Sequence, residues 1–288
     1  MDRVPIYMSW GGGVQSTAIA LLCANQDERL LSVTNGQLPE AFVFADTGDE
    51  RLATYEHIWK MADLMASAGL KLYIVRKDWR TLAEQVAQET TGIDLPPVFV
   101  EDKNQIAVPV NRGCTKRWKV QPLDRWARER FKHGRPPKGE KWELRCVQWY
   151  GMSTDELQRL RESNESWRRF SYPLVDMGWA RHDCANYIES LTYLDGSPIQ
   201  AIRSSCVYCP YHSKGEWREV AKVPEDWAKA VALDEALRAG DKPIAGLETH
   251  AYVLRNRTPL RDYNPLAQTD LFEWDGGLDN DCDGVCGV

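Results

Sequence analysis

The stretch Met8-Ser9-Trp10-Gly11-Gly12-Gly13-Val14-Gln15-Ser16 limits what the chain can fold into more than any other. Ahead of it, Val4 to Met8 is a short apolar run that predicts a buried strand. After it, Ser16 to Ala24 predicts the first turns of a buried helix. A strand that turns through glycines into a helix aims backbone N–H groups and the positive end of the helix dipole at one point, where an anion binds. Glycines accept left-handed angles and let a phosphate approach the backbone, and Ser16 adds a hydroxyl donor. A plain helix lead-in turn has the same outline. The loop is neither a Walker A loop nor a G-x-G-x-x-G dinucleotide loop.

A second strand-end loop favours phosphate. Glu40 to Phe44 predicts a strand that runs into Ala45-Asp46-Thr47-Gly48-Asp49-Glu50. GGGVQS after one strand and FADTGDE after the next together resemble the phosphoadenosine phosphosulfate reductase family. That family belongs to the wider group of pyrophosphatase-loop, adenine nucleotide α-hydrolase-like proteins. The resemblance implies an adenine nucleotide, ATP or a sulfonucleotide, held by Ser9, Gly11, Gly12, Gly13, Gln15 and Ser16 with Asp46, Thr47 and Gly48 beside them. Mg²⁺ is a candidate companion of the phosphates, and Ser16 and Asp46 are the candidate catalytic groups in the loops. The usual loop in that group is Ser-Gly-Gly-x-Asp-Ser. Here Gly11 stands at the serine, Val14 at a frequent lysine and Gln15 at the aspartate. Another cation must then offset the phosphate charge, and Arg112, Lys116 and Arg117 are the candidates.

The 288 residues suffice for one α/β domain and an appendage, and 43% hydrophobic with 27% charged residues is a globular balance. No signal peptide or membrane-length apolar run is visible, which predicts a cytoplasmic protein. Helical periodicity over Leu52–Ala68, an apolar strand at Leu72–Val75 and a helix over Thr81–Glu89 continue a β-α-β-α-β alternation. That alternation predicts a doubly wound, mainly parallel α/β sheet with helices on both faces and ligands beyond the strands' carboxyl ends. Gly92 to Gly113 is expected to be a long connection over the site. A helix near Trp118–Phe131 and a strand at Cys146–Met152 follow, and Ser153 with Glu156 forms a capping-box pattern at the next helix start. The pattern changes near Tyr172, with helices expected at Ala180–Ser190, Ser213–Ala221 and Glu225–Arg238. We divide the chain into a nucleotide-binding domain (1–175), a cysteine-bearing helical region (176–269) and a flexible acidic, Gly-rich tail (270–288).

The eight cysteines suggest metal, cluster or redox chemistry in a reducing compartment. Cys114-Thr115-Lys116-Arg117-Trp118-Lys119-Val120-Gln121-Pro122 is similar to the Cys-Thr-x-x-x-Lys-x-x-Pro segment of DNA phosphorothioation sulfurtransferases. About ninety residues later comes Cys206-Val207-Tyr208-Cys209-Pro210, the layout of 4Fe–4S adenylylsulfate reductases. A CxxC turn points two thiolates at one metal, and it suits zinc as well as iron–sulfur. The expected ligands are Cys114, Cys206, Cys209 and Cys184. The last is preferred to Cys146 because similar proteins, many phage-borne, carry a cysteine in the Arg-x-Asp-Cys context. A 4Fe–4S cluster is expected, with structural zinc as its rival. Cys23 and Cys146 read as small buried hydrophobes. The histidines form no metal pattern, and His182 and His212 are expected to be exposed.

Residues 112–145 hold twelve Lys or Arg against four acids, a local charge near +8 in a chain of −6. Trp118, Trp126 and Trp142 interleave with them, which suits a nucleic-acid backbone with stacked bases. Tryptophans packed inward beneath a solvated basic face suit the same pattern. Arg255, Arg257 and Arg261 are further candidates for an anion. Sulfonucleotide reductases use a cysteine on a C-terminal tail, and that resemblance makes Cys286 the candidate nucleophile or persulfide carrier, with Cys282 as resolving thiol. The expected function is ATP-dependent sulfur transfer to a nucleic acid, served by a sulfur donor or thiol reductant protein. A sulfonucleotide reductase and a non-catalytic nucleotide- or nucleic-acid-binding module with structural zinc are the alternatives. No membrane partner is expected, and a homodimer is left open.

Overall fold

The computed structural model describes residues 3–88, 96, 98–101, 107–109, 113–134, 136, 138, 140–239, 247 and 249–267. In the first half, β1 (Ile6–Ser9) leads to α1 (Val14–Ala24) and α2 (Glu28–Val33), then β2 (Ala41–Ala45), α3 (Leu52–Ser67), β3 (Leu72–Val75) and α4 (Leu82–Gln88). A short hairpin, β4 (Phe99–Glu101) with β5 (Ala107–Pro109), precedes a π-helical turn, Thr115–Val120, that runs into α5 (Gln121–Phe131). β6 (Cys146–Tyr150), a 3₁₀ turn at Thr154–Arg159 and β7 (Arg168–Ser171) follow. The chain continues through α6 (Pro173–Asp176), α7 (Arg181–Glu189), α8 (Lys214–Lys222) and α9 (Pro224–Ala236).

Five strands form one sheet in the order β3-β2-β1-β6-β7, every pair parallel. The three central strands are buried along their whole length, as expected of apolar runs covered on both faces. Met8 pairs with Phe42 on one side and Trp149 on the other. Side chains alternate between the faces. Ile6, Met8, Phe42, Phe44, Val147 and Trp149 pack with α1, α3 and α7, while Tyr7, Ala41, Val43, Ala45 and Cys146 pack with Leu123 and Ala127 of α5. The fold is therefore the doubly wound α/β arrangement expected, and no helix among the described residues is long and apolar enough to cross a membrane.

A third core lies apart from these two. Val86 of α4, Trp118 of the π turn, Val207, Tyr208, Trp217 of α8 and Leu233 of α9 pack together there. It meets the sheet beyond β2, where the Val207 N–H donates to the Asp49 carbonyl at 2.9 Å. Three elements were not expected. β7 reads Arg-Arg-Phe-Ser, which lacks an apolar run because it is an edge strand paired only with β6. α2 starts at Asp27, whose carboxylate accepts from the Arg29 N–H at 3.0 Å. The connection across 92–113 holds the β4–β5 hairpin, fixed to the third core by reciprocal Phe99–Tyr252 backbone bonds of 2.8 and 2.9 Å. The division at residue 175 falls inside α6, and α7, beyond it, packs on α1.

His57 of α3 is buried beneath the glycine loop. Its Nε2 is 3.0 Å from Thr17 Oγ1, its Nδ1 is 2.6 Å from the Tyr193 hydroxyl, and its ring stacks on Trp10. Burial pushes its pKa down from 6.5 to about 4. The unfolded chain thus takes up a proton near pH 6.5 that the folded chain refuses until about pH 4. The contribution to stability is complete above 6.5 and is lost as pH falls toward 4, by about 3 kcal/mol in all. Urea unfolding midpoints measured between pH 7 and pH 4.5 should fall less steeply in His57→Gln than in the parent chain.

Candidate functional site

The strand order reverses between β1 and β6, because the chain runs outward from β1 through β2 to β3 and then returns to the other side of β1. Such a switch point opens a crevice at the carboxyl ends of the strands. The glycine loop lies there. Gly12 has φ +67°, and Gly13 is the N-cap of α1 with no side chain capping the first turn. The first-turn N–H groups lack partners within the helix and suit an anion. Ser16 donates to the Gly13 carbonyl at 3.2 Å. A Cβ on Gly151, just after β6, would stand 2.8 Å from the Ser16 nitrogen, so β6 passes α1 at backbone contact. Ser9 is fully buried and accepts from Gln148 Nε2 at 2.6 Å, which ties β1 to β6. Gln15 donates to Glu156 Oε2 at 3.2 Å. Ser9 and Gln15 thus hold the loop to its neighbours, and the loop backbone with Ser16 is left to meet a ligand.

The loop after β2 is stiff and dense. Asp46 accepts from the Gly48 N–H at 2.8 Å, the Tyr55 hydroxyl at 2.8 Å and Arg76 Nε at 2.8 Å. Arg76 is pushed above its ordinary pKa by that carboxylate. Asp46, expected to be catalytic, is placed as a brace between β2, α3 and the end of β3. Gly48 has φ +84°, and a Cβ on it would stand 2.7 Å from Thr81 Cγ2. Thr47 Oγ1 lies 3.2 Å from Cys206 Sγ, and Glu50 and Cys206 form an antiparallel bridge. Asp49 accepts from the Tyr208 hydroxyl at 2.7 Å and from the Ala83 N–H at 3.0 Å, and burial raises its pKa. Burial, then the Glu50 charge, holds the Cys206 thiol well above its usual range.

Of the expected metal ligands, Cys206 and Cys209 share one turn, with the Cys209 N–H donating to the Cys206 carbonyl at 3.0 Å. Cys114 packs against the same core as Cys206. Cys184 does not join them. It is fully buried on α7, in the core under α1, and burial pushes its pKa up to about 12. Cys146, the other candidate, is buried on β6 on the sheet face that packs against α5, and burial pushes its pKa up to about 12 as well. Both behave as small core hydrophobes, as Cys23 does. Among the described residues no three His, Cys, Asp or Glu side chains are grouped to hold a metal. As placed, Cys184 packs in a different core from Cys114 and Cys206, and the four expected ligands do not converge on one point. Cys282, Cys286 and Arg112 lie outside the described residues.

The tryptophans of the basic segment are core groups. Trp118 is buried, and Trp126 packs against Tyr7, Tyr73 and Phe131. Trp142 lies beneath Lys132. Many of the segment's cations are engaged within the chain, among them Arg128 with Glu165 and Arg125 with the Arg76 carbonyl. Lys116 and Arg117 are exposed, Arg117 with an interaction of its own. Arg257 and Arg261, offered for an anion, pair with Glu101 and Glu235. His182 is exposed as expected. His212 is not, since it is buried against Trp217 with Nε2 2.9 Å from Ser205 Oγ, and burial, then the Arg51 and Arg203 charges, holds its pKa well below the usual range.

Sequence reasoning passed over two features of the site. Ser204 lies across the glycine loop, its Oγ 3.6 Å from where a Gly13 Cβ would be. Its neighbour Arg203 accepts from Arg51 at the carbonyl, at 2.5 Å, and pairs its guanidinium with Glu216 at 3.0 Å. No local signal marks that contact. Lys119 is buried and its Nζ lies 3.2 Å from Glu50 Oε1, beside Thr47 and Cys206. It is the lysine of the Cys-Thr-x-x-x-Lys pattern, and that pattern could have singled it out ahead of Lys116 and Arg117. No protein-family model matches the chain, and no curated protein does.

Lys119 and Glu50 are 10% and 0% exposed, so removing one leaves the other buried without its charge partner. Lys119→Met should lower the unfolding free energy by about 3–5 kcal/mol, and Lys119→Met with Glu50→Gln should recover a large part. Urea denaturation of the two variants checks this.

Proposed function

We propose that the chain is an adenine-nucleotide-dependent sulfur-transfer enzyme of the phosphoadenosine phosphosulfate reductase type, acting on a nucleic acid. The reading is carried by one observation, the seating of the Cys206 turn on the loop after β2, with Thr47 Oγ1 3.2 Å from Cys206 Sγ. It brings the cysteine motif and the second nucleotide motif, 159 residues apart, into contact. Phosphates rest on the backbone of Gly11–Gly13 and on Ser16, where N–H groups offset the charge that develops at the α-phosphate. Arg51, which donates to the Arg203 carbonyl next to Ser204, supplies the positive charge that Val14 cannot. An acceptor oxygen attacks the α-phosphorus, the bond to the bridging oxygen breaks and pyrophosphate leaves. A donor protein's persulfide passes its outer sulfur to the Cys286 thiolate, the proposed carrier, and the donor thiol leaves. The outer sulfur of the Cys286 persulfide then forms its bond to the activated carbon, and AMP departs with the acceptor oxygen. Cys282, the proposed resolving thiol, attacks Cys286 Sγ, the S–S bond breaks, the thiolated acceptor is released, and a thiol reductant protein reduces the Cys282–Cys286 disulfide.

Two measurements test this. Gly12→Val forces a β-branched residue into φ +67°, at a cost of about 1–3 kcal/mol, and should abolish ATP binding in calorimetry. Undiminished affinity would remove the nucleotide from this loop. Anaerobically purified protein given ATP, acceptor nucleic acid and a persulfide donor should form AMP and pyrophosphate, and Cys206→Ser should stop thiolation. Sulfite release from a sulfonucleotide without ATP cleavage would replace this reading with the reductase.

A further inference from the structure

Of the tryptophans expected to receive bases, Trp118 is buried and Trp126 and Trp142 are partly buried in core packing, yet one tryptophan outside the basic segment is almost fully open. Trp79 is 80% exposed, the most exposed large hydrophobic side chain among the described residues. It stands on the loop that leaves the carboxyl end of β3, between Asp78 and Arg80, whose guanidinium lies 5.8 Å from its ring centroid. Leaving so much indole in water costs hydrophobic free energy, and nothing within the described fold repays it.

Two contacts fix where this loop lies. Thr81 sits against Gly48, so the loop borders the nucleotide loop after β2. Lys77 Nζ lies 4.6 Å from the Trp118 centroid, so the loop also borders the π turn that carries the exposed Lys116 and Arg117. An open aromatic face at the rim of the crevice, with cations on its flank, matches the chemistry that holds single-stranded nucleic acid, in which bases stack on rings and phosphates meet positive charge.

We infer that Trp79 is the platform on which an unpaired base of the acceptor stacks, with Lys116 of the neighbouring π turn meeting a phosphate beside it. This rests on the nucleic-acid acceptor proposed above and narrows it to a single-stranded or unpaired site. Among the described residues Trp79 belongs to no core cluster, so its replacement leaves the fold in place, which circular dichroism verifies.

The test is fluorescence anisotropy with a labelled twelve-nucleotide oligothymidine, run without ATP at fixed salt. Trp79→Ala should weaken binding roughly five- to a hundredfold, and Trp79→Phe should retain most of it. ATP affinity, measured separately, should not change. Equal oligonucleotide affinity in Trp79→Ala, or no binding by the parent chain, overturns the inference. Loss of ATP affinity with oligonucleotide binding intact overturns it too, because the ring would then stack on the adenine of the free nucleotide. Because the binding arm contains no ATP, failure to cleave ATP counts against the proposed activity alone.

Discussion

A Cβ at Gly151 would stand 2.8 Å from the Ser16 nitrogen and 2.9 Å from its Cα, so the chain leaving β6 can pass the first turn of α1 only as glycine. That approach sets the distance between the two strands that flank the switch point. The Gln148–Ser9 bond at 2.6 Å and the reach of Gln15 to Glu156 at 3.2 Å lock the same junction from inside the sheet and from above it. With β6 held there, the N-terminus of α1 has one orientation, and the crevice has its width.

The loop after β2 is organised by different physics. Its acids are buried, and each is stabilised by donors from a separate element. Asp46 takes Tyr55 and Arg76, Asp49 takes Tyr208 and Ala83, and Glu50 takes Lys119. Any one of these carboxylates would be costly to bury alone. Together they require α3, the end of β3, the π turn and the Cys206 turn to arrive in one arrangement. This is how a core built from α8 and α9 is attached to a sheet that it does not extend. The attachment also delivers a thiol to the loop.

Much of this was legible because the governing signals are local. β1, β2 and β6 are buried, mostly apolar runs, and Gly12 and Gly48 sit where φ or close contact demands them. β7 was not legible, because its Arg168 is satisfied by Asp124 at 2.5 Å and by Tyr7 at 3.2 Å, partners far away in sequence. Cys184 was placed with the metal ligands from its neighbours Arg181 and Asp183. The structure uses it as filling under α1, a role that shows only when the partner helix is known. His212 likewise depends on Trp217 and Ser205 closing over it. Lys119 and Trp79 are the instructive pair. A lysine in a basic run is buried, and a tryptophan in a short loop is bare, because tertiary contacts and not local composition decide which side of the surface each occupies.

The π turn at Thr115–Val120 passes without a break into α5, and the Gln121 N–H reaches back five residues to the Lys116 carbonyl. A wide turn of this kind shifts the angular phase of everything after it relative to everything before it. Lys119 therefore points inward to Glu50 while Trp126, farther along the same rod, still meets Tyr7 on the sheet. The spacing between Cys114 and α5 is thus a count of residues and not only a choice of them. Conservative exchanges within it keep the timing, whereas loss of a single residue would rewind the helix and swing one of its two faces away from its partner.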